Sequence, residues 1–216
     1  GYYDKANEKI YLAGNDSNGY PVIDVLSASS ITNYHTHTVA KGSYNSVIFK
    51  NSVAYAVGYT TSGTATKGLY SYVPETNREL TKGYTSIFSE DSKFTKIMAS
   101  PNSGNNIIIG ETKALQVTAG DVVSAVNSRA GYSDALILEV SDDASRNVQA
   151  RLYGGSANDV FNNISLIEGT KYLVTGTAGD GVSSLVYEID ISDFSATEQA
   201  VSSNSAYHVI GALERY

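Results

Sequence analysis

His35-Thr36-His37 is the first place in this chain to look for chemistry. On an extended strand, residues two apart face the same side, so both imidazoles can reach one metal ion. A metal site needs further ligands, and the remaining histidine, His208, lies at the far end of the chain. The pair therefore reads as the polar, water-facing surface of an edge strand, and no metal is assigned. Asp16-Ser17-Asn18-Gly19 and Asp180-Gly181 are short and oxygen-rich, as calcium loops are. Neither has alternating ligands closing on a glutamate. Asn-Gly and Asp-Gly are also what a tight hairpin requires, because these residues accept positive φ. Asp142-Asp143 supplies two adjacent carboxylates. A glycosidase needs two that flank one bond, whereas neighbours on a turn diverge, so these read as a solvated turn. There is no cysteine, and no nucleophile elbow, zinc-protease or phosphate-loop motif. No catalytic residue, metal or cofactor is assigned.

The bulk composition narrows the partners. The 216 residues carry 15 Lys and Arg against 22 Asp and Glu, a net charge of -7. Nucleic acid is excluded as a partner, because phosphate binding needs clustered cations. Apolar residues make up 42%, enough for a packed core. No run approaches the roughly 20 apolar residues of a membrane-spanning helix. Charge is low at 17%, and Ser, Thr, Asn, Gly and Tyr abound. That composition suits an exported bacterial β-protein, so the expected location is extracellular, at the cell surface or in the periplasm. Gly1 reads as a trimmed end, which leaves open whether a signal or anchor was removed.

The elements that must position any site are strands. No stretch keeps a helical apolar stripe, while short β-branched and aromatic runs recur between Gly, Asn, Ser and Asp. The runs repeat. Four strands end in glycine, at Gly14, Gly58, Gly110 and Gly176. Each is followed by a polar turn and a second apolar strand: 22–26, 69–73, 135–140 and 185–190. A more polar third strand follows, near 36–40, 78–82, 148–153 and 197–201, and is expected at the outer edge. A further short strand then leads into the next repeat, at 46–49, 95–99, 164–167 and 208–213.

Four strands per unit of about 40 to 50 residues is the pattern of an all-β fold, a β-propeller of four-stranded antiparallel blades. One such sheet cannot cover both its faces, and radial stacking does so while leaving only short edges. The expectation is one domain over residues 1–216 with four blades, in which the C-terminal strand 208–213 completes the N-terminal blade. Tyr2 and Tyr3 leave a second possibility open, as the remnant of another inner strand in a chain cut from a longer propeller.

One unit carries a more specific signature. Tyr153-Gly154-Gly155-Ser156-Ala157-Asn158-Asp159 runs into the strands around Ile164 and Leu173-Val174-Thr175-Gly176. Residues 153–190 resemble a bacterial β-propeller repeat of surface and secreted proteins, with its YGGS-x-ND loop. The other three units keep only the strand-Gly-turn-strand core. The resemblance implies the fold and no shared catalytic residues.

The function expected is a non-catalytic binding or adhesion module for a protein or carbohydrate partner. A glycan hydrolase or lyase at the channel mouth and a structural spacer are the alternatives. Most of the 17 tyrosines lie within strands and read as packing. The turns after the glycine-ended strands fall at one end, with the longest insertion at 110–131. Loops held by a rigid frame favour binding, so Tyr20, Tyr59, Asp121, Tyr132 and Asp180 are the candidate partner-binding residues.

Overall fold

A computed structural model describes residues 1–78, 82–84, 90–114, 116–119, 122–126, 132–143, 147–154, 157–179, 184–193 and 195–198. They form four antiparallel four-stranded sheets, and no helix occurs among them. The first sheet is β1 (Tyr2–Asp4), β2 (Lys9–Asn15), β3 (Pro21–Ser27) and β4 (Ser30–Thr36), in chain order. The second is β5 (Lys41–Lys50), β6 (Val53–Ser62), β7 (Ala65–Pro74) and β8 (Lys82–Tyr84). The third uses β9 (Ser92–Ala99) and β10 (Asn106–Thr112), then β13 (Asp134–Val140) and β14 (Asn147–Tyr153). A separate hairpin, β11 (Gln116–Ala119) with β12 (Val122–Val126), is inserted between β10 and β13. The fourth sheet is β15 (Val160–Glu168), β16 (Lys171–Thr177), β17 (Ser184–Asp190) and β18 (Ser195–Glu198).

Strand alternation gives each inner sheet two apolar faces, and the sheets stack through three apolar layers. Tyr11, Ile23 and Tyr34 meet Tyr44, Phe49 and Leu69 between the first and second sheets. Tyr55, Val57 and Tyr70 meet Phe94, Ile108 and Leu138 between the second and third. Ile107, Ile109 and Ile137 meet Phe161, Tyr172 and Val174 between the third and fourth. Stacked rings such as Tyr11 on Phe49, 4.4 Å between centroids, add about 0.5–1.5 kcal/mol beyond their burial. The first strands lie side by side in the order β1, β5, β9, β15. Among the described residues no apolar layer joins the fourth sheet to the first.

In three of the sheets the repeated glycine, which lies inside the second strand rather than at its end, has a steric cause. The inner strand opposite it carries a β-bulge, between Tyr44 and Ser46 in β5, at Thr95 in β9, and between Phe161 and Asn163 in β15. The bulge pushes the inner backbone onto the second strand. A Cβ at Gly58 would lie 1.9 Å from Ser43 O, one at Gly110 2.1 Å from Lys93 O, and one at Gly176 1.9 Å from Val160 O. Gly14 is different, because a Cβ there meets nothing within 4 Å.

The segment 208–213, expected to complete the first sheet, lies outside the described residues. Among those described, the first sheet has its inner strand in Tyr2–Asp4, paired to Lys9–Tyr11. One expectation needs correction. The third strand of the first sheet is Ser30–Thr36 rather than 36–40, because Ala28-Ser29 reverses the chain at once, with Ser27 paired to Ser30. That turn contains no glycine, asparagine or aspartate, so its serines alone marked it.

Candidate functional site

All four sheets turn from second to third strand at the same end as their repeated glycines. That end also carries the connections leading from each outer strand to the next inner strand. The two sets of loops are tied together. Gly42 N donates to Gly19 O at 2.9 Å between the first and second sheets. Thr66 N donates to Asp91 Oδ1 at 2.8 Å and Gly68 N to Ser92 Oγ at 3.1 Å, joining the second sheet to the third, and Lys113 N donates to Asp91 O at 2.7 Å within the third. Ser133 N donates to Asn158 Oδ1 at 2.9 Å and Asp159 N to Ser133 O at 2.7 Å, joining the third to the fourth, and Gly179 N donates to Asp159 Oδ1 at 3.2 Å within the fourth. At the second and third junctions a polar side chain at the head of an inner strand thus bridges two sheets, at the first a backbone bond does so, and the rim is a braced frame.

The YGGS-x-ND loop is such a brace. Asn158 and Asp159 make the bonds just given, and Ser133 Oγ donates onward to Glu111 Oε2 at 2.8 Å. Asp134 and Asp159 are buried. Their carboxylates fill the space beside Gly154, since a Cβ there would lie 2.5 Å from Asp134 Oδ1 and 2.7 Å from Asp159 Oδ2. The first glycine of the motif is therefore required by the acids it adjoins. Ser133, Asp134 and Asn158 were not singled out from the sequence. The motif itself was the available signal for Asn158 and Asp159, whereas Ser133 and Asp134 come from a distant strand start and carry none.

Three of the five candidate residues are described, and they are spread over this end. Tyr20 is half-buried in the first turn, where Asp16 Oδ1 accepts the amides of Asn18 and Tyr20 at 2.9 and 2.8 Å. That carboxylate serves the turn. Tyr59 is half-buried near the end of β6, with the Lys93 ammonium 5.0 Å from its ring centroid. Tyr132 is exposed at 41%, just before β13. These three stand on three different sheets. Asp121 and Asp180 lie outside the described residues.

The histidine pair is not water-facing. His35 is 9% exposed and His37 2%. A bulge at Tyr34 sets Ile23 opposite His35 and Asp24 opposite Asn33, which turns both Tyr34 and His35 into the protein. Tyr34 OH donates to Val73 O at 3.3 Å, and the Arg78 guanidinium lies 5.3 Å from its ring centroid. His35 Nδ1 is 3.1 Å from Arg78 O. A carbonyl only accepts, so Nδ1 carries the proton. His35 Nε2 and both nitrogens of His37 are buried without a hydrogen bond. Burial lowers the pKa of both imidazoles, and His35 lowers that of His37 further. Among the described residues no group of three or more His, Asp or Glu is placed to hold a metal.

Asp142 is more than a solvated turn residue. It accepts the Tyr55 hydroxyl at 2.7 Å and pairs with Lys50 at 3.0 Å, linking the third sheet to the second. Asp143 accepts from Ser141 Oγ at 2.8 Å. The two carboxylates have different partners and do not converge. The strand tyrosines pack as expected, and some of their hydroxyls find partners inside, Tyr44 with Ser71 at 2.6 Å and Tyr70 accepting from Asn106 at 2.8 Å, whereas that of Tyr11 is buried without one. Burial raises the pKa of Tyr44, Tyr55 and Tyr70 well above the usual phenol range, and that of Tyr34 to about 12.

No family model matches this chain, and no curated protein sequence matches it. The functional reading therefore rests on the fold and on this braced rim.

Proposed function

We propose that the four sheets are blades of a β-propeller, with the C-terminal strand completing the N-terminal blade, and that the protein is a non-catalytic binding or adhesion module. The proposed partner is a protein or glycan met outside the bacterial cytoplasm. The observation that carries this reading is the braced rim, with the β11–β12 hairpin inserted there between β10 and β13 and lying against β14. Backbone and side-chain bonds hold the loop bases, so the inserted hairpin and Tyr132 are presented on a fixed frame. Binding surfaces are built in this way, because a preorganised frame lowers the ordering cost of association.

The test replaces residues 116–126 with a short Gly-Ser turn. Glu111, Ser133 and Asp134 are kept, because they belong to the brace. Melting and binding to glycan and protein arrays are then compared with the parent chain. Unchanged melting with loss of an array signal supports the proposal. A signal that survives removal of the hairpin places the binding surface elsewhere.

A further inference from the structure

The outer edges of the four sheets are not equally protected. An outer strand leaves a row of N–H and C=O groups without a ladder partner, and such edges are usually blunted by shortness or by charge. β8 spans three residues and contains Lys82, β14 contains Arg151, and β18 spans four residues and contains Glu198. β4 is different. Its seven residues, Ser30–Thr36, include no acid, lysine, arginine or proline, and the charge-free stretch runs from Val25 to Ala40.

The free part of this edge is its first half. Ser30, Ile31, Thr32 and Asn33 are all exposed, whichever face they stand on, with Ile31 at 65%. From Tyr34 onward the bulge turns the strand into the protein, so the bulge bounds the edge. The register shows which backbone groups point outward. Ser27 pairs with Ser30 across the two-residue turn, and Val25 pairs with Thr32. In such a hairpin the pair flanking the turn exchanges hydrogen bonds, and bonded and non-bonded pairs alternate from there. Ser30 and Thr32 therefore bond inward to β3, and the backbone groups of Ile31 and Asn33 point away from it. Among the described residues no strand lies beyond them.

We infer that Ser30–Asn33 is a self-association edge, on which β4 of a second copy of this chain pairs antiparallel about a two-fold axis at Thr32. In this register Ile31 exchanges hydrogen bonds with the second copy's Asn33, and Asn33 with its Ile31. Both residues with outward groups are thereby bonded on each strand. A two-fold axis at Ile31 would set Asn33 against the turn, and one at Asn33 would set Ile31 against the bulge. Thr32 meets the second copy's Thr32 as a directly opposed, non-bonded pair, and Thr–Thr pairs across strands are favourable. The occupant is a second copy because the edge is self-complementary. Two identical charge-free edges approach without repulsion, and the two-fold pairing sets both exposed Ile31 side chains diagonally across one face. The free edge lies by the β3–β4 turn, at the end away from the rim. Pairing there leaves the rim uncovered, and antiparallel strands point the two rims in opposite directions. The inference does not depend on the rim's binding role.

The experiment compares sedimentation equilibrium of the parent chain, over a wide concentration range, with that of Thr32→Lys. The substitution sets like charges opposite each other across the axis. Thr32 is exposed, so the melting of dilute protein should be unchanged. A monomer–dimer equilibrium is expected for the parent, with a dissociation constant raised about tenfold or more in the variant. The absence of native cysteine allows a second measurement. Thr32→Cys is oxidised beside Thr197→Cys, a control on the outer strand of the fourth sheet. A disulfide-linked dimer is expected to form faster with Thr32→Cys, because directly opposed non-bonded residues have Cα atoms about 4.5 Å apart, within bridging distance. A parent chain that stays monomeric at every concentration would overturn the inference. A dimer equally strong in Thr32→Lys would also overturn it, by placing the contact elsewhere, and so would equal cross-linking of the two cysteines. None of these results bears on the rim, so the binding reading is judged separately by the hairpin replacement.

Discussion

Gly58→Ala is the sharpest test of the bulge that repeats through this fold. Two effects of opposite sign compete. Alanine in place of glycine in a strand restricts the unfolded chain and gains about 0.5–1 kcal/mol where space allows. At Gly58 the new Cβ would stand 1.9 Å from Ser43 O and 2.8 Å from Tyr44 Cα, both backbone atoms. Comfortable carbon–oxygen contacts lie at about 3.3–3.6 Å, so β5 and β6 must part by more than an ångström. Parting them sacrifices about two ladder hydrogen bonds at about 1 kcal/mol each. Straining the core around the buried Tyr44 adds about 1–3 kcal/mol. The clash outweighs the entropy gain, and the net loss is about 2–4 kcal/mol. For a chain of this length each kcal/mol moves the melting temperature by about 2–4 °C, so a drop of roughly 4–16 °C is expected. Gly110→Ala and Gly176→Ala should fall in the same range, since their clashes are equally with inner-strand backbone. The assay is thermal unfolding followed by far-ultraviolet circular dichroism. Melting temperatures equal to or above the parent's in all three variants would refute the steric account.

Two further predictions concern groups that link the sheets. His35 and His37 are held below the ordinary pKa of 6.5 by burial, so the unfolded chain takes up protons first. Their contribution is present in full above about pH 6.5 and is lost as pH falls below that value through the lowered folded pKa values. Melting measured from about pH 8 to about pH 5 should decline, and His37→Leu should flatten the decline; an identical slope in the variant would count against it. Tyr55→Phe removes the hydroxyl that donates to Asp142 and keeps the ring between the sheets. A loss of about 1 kcal/mol in denaturant unfolding is expected, with Asp142 still paired to Lys50, and a stability equal to the parent's would show that the bond contributes nothing.

The repeat was legible without coordinates because its signal is local. Alternating apolar residues require strands, and a glycine at Gly14, Gly58, Gly110 and Gly176 marks the same point in each unit. Antiparallel pairing and the grouping into fours follow from chain-neighbour spacing and were recoverable, whereas the outer strand Ser30–Thr36 and the β11–β12 hairpin were not placed. What each residue touches across sheets was not recoverable. His35 and His37 looked like surface residues, because polar side chains on an outer strand usually meet water. A single extra residue at Tyr34 reversed that by shifting the pleat's phase. Nothing in the side chains from Asn33 to His37 announces that shift. The same holds for the notch: the glycines were visible, but the carbonyls of Ser43, Lys93 and Val160 that require them belong to another strand. The rim shows it again, since Asn158 and Asp159 sit in a readable motif while their partners Ser133 and Gly179 are about 20–25 residues away. Short-range periodicity therefore determined the strands of this protein, and only the packing of one sheet on the next decided which of its polar groups are buried, braced or left for a partner.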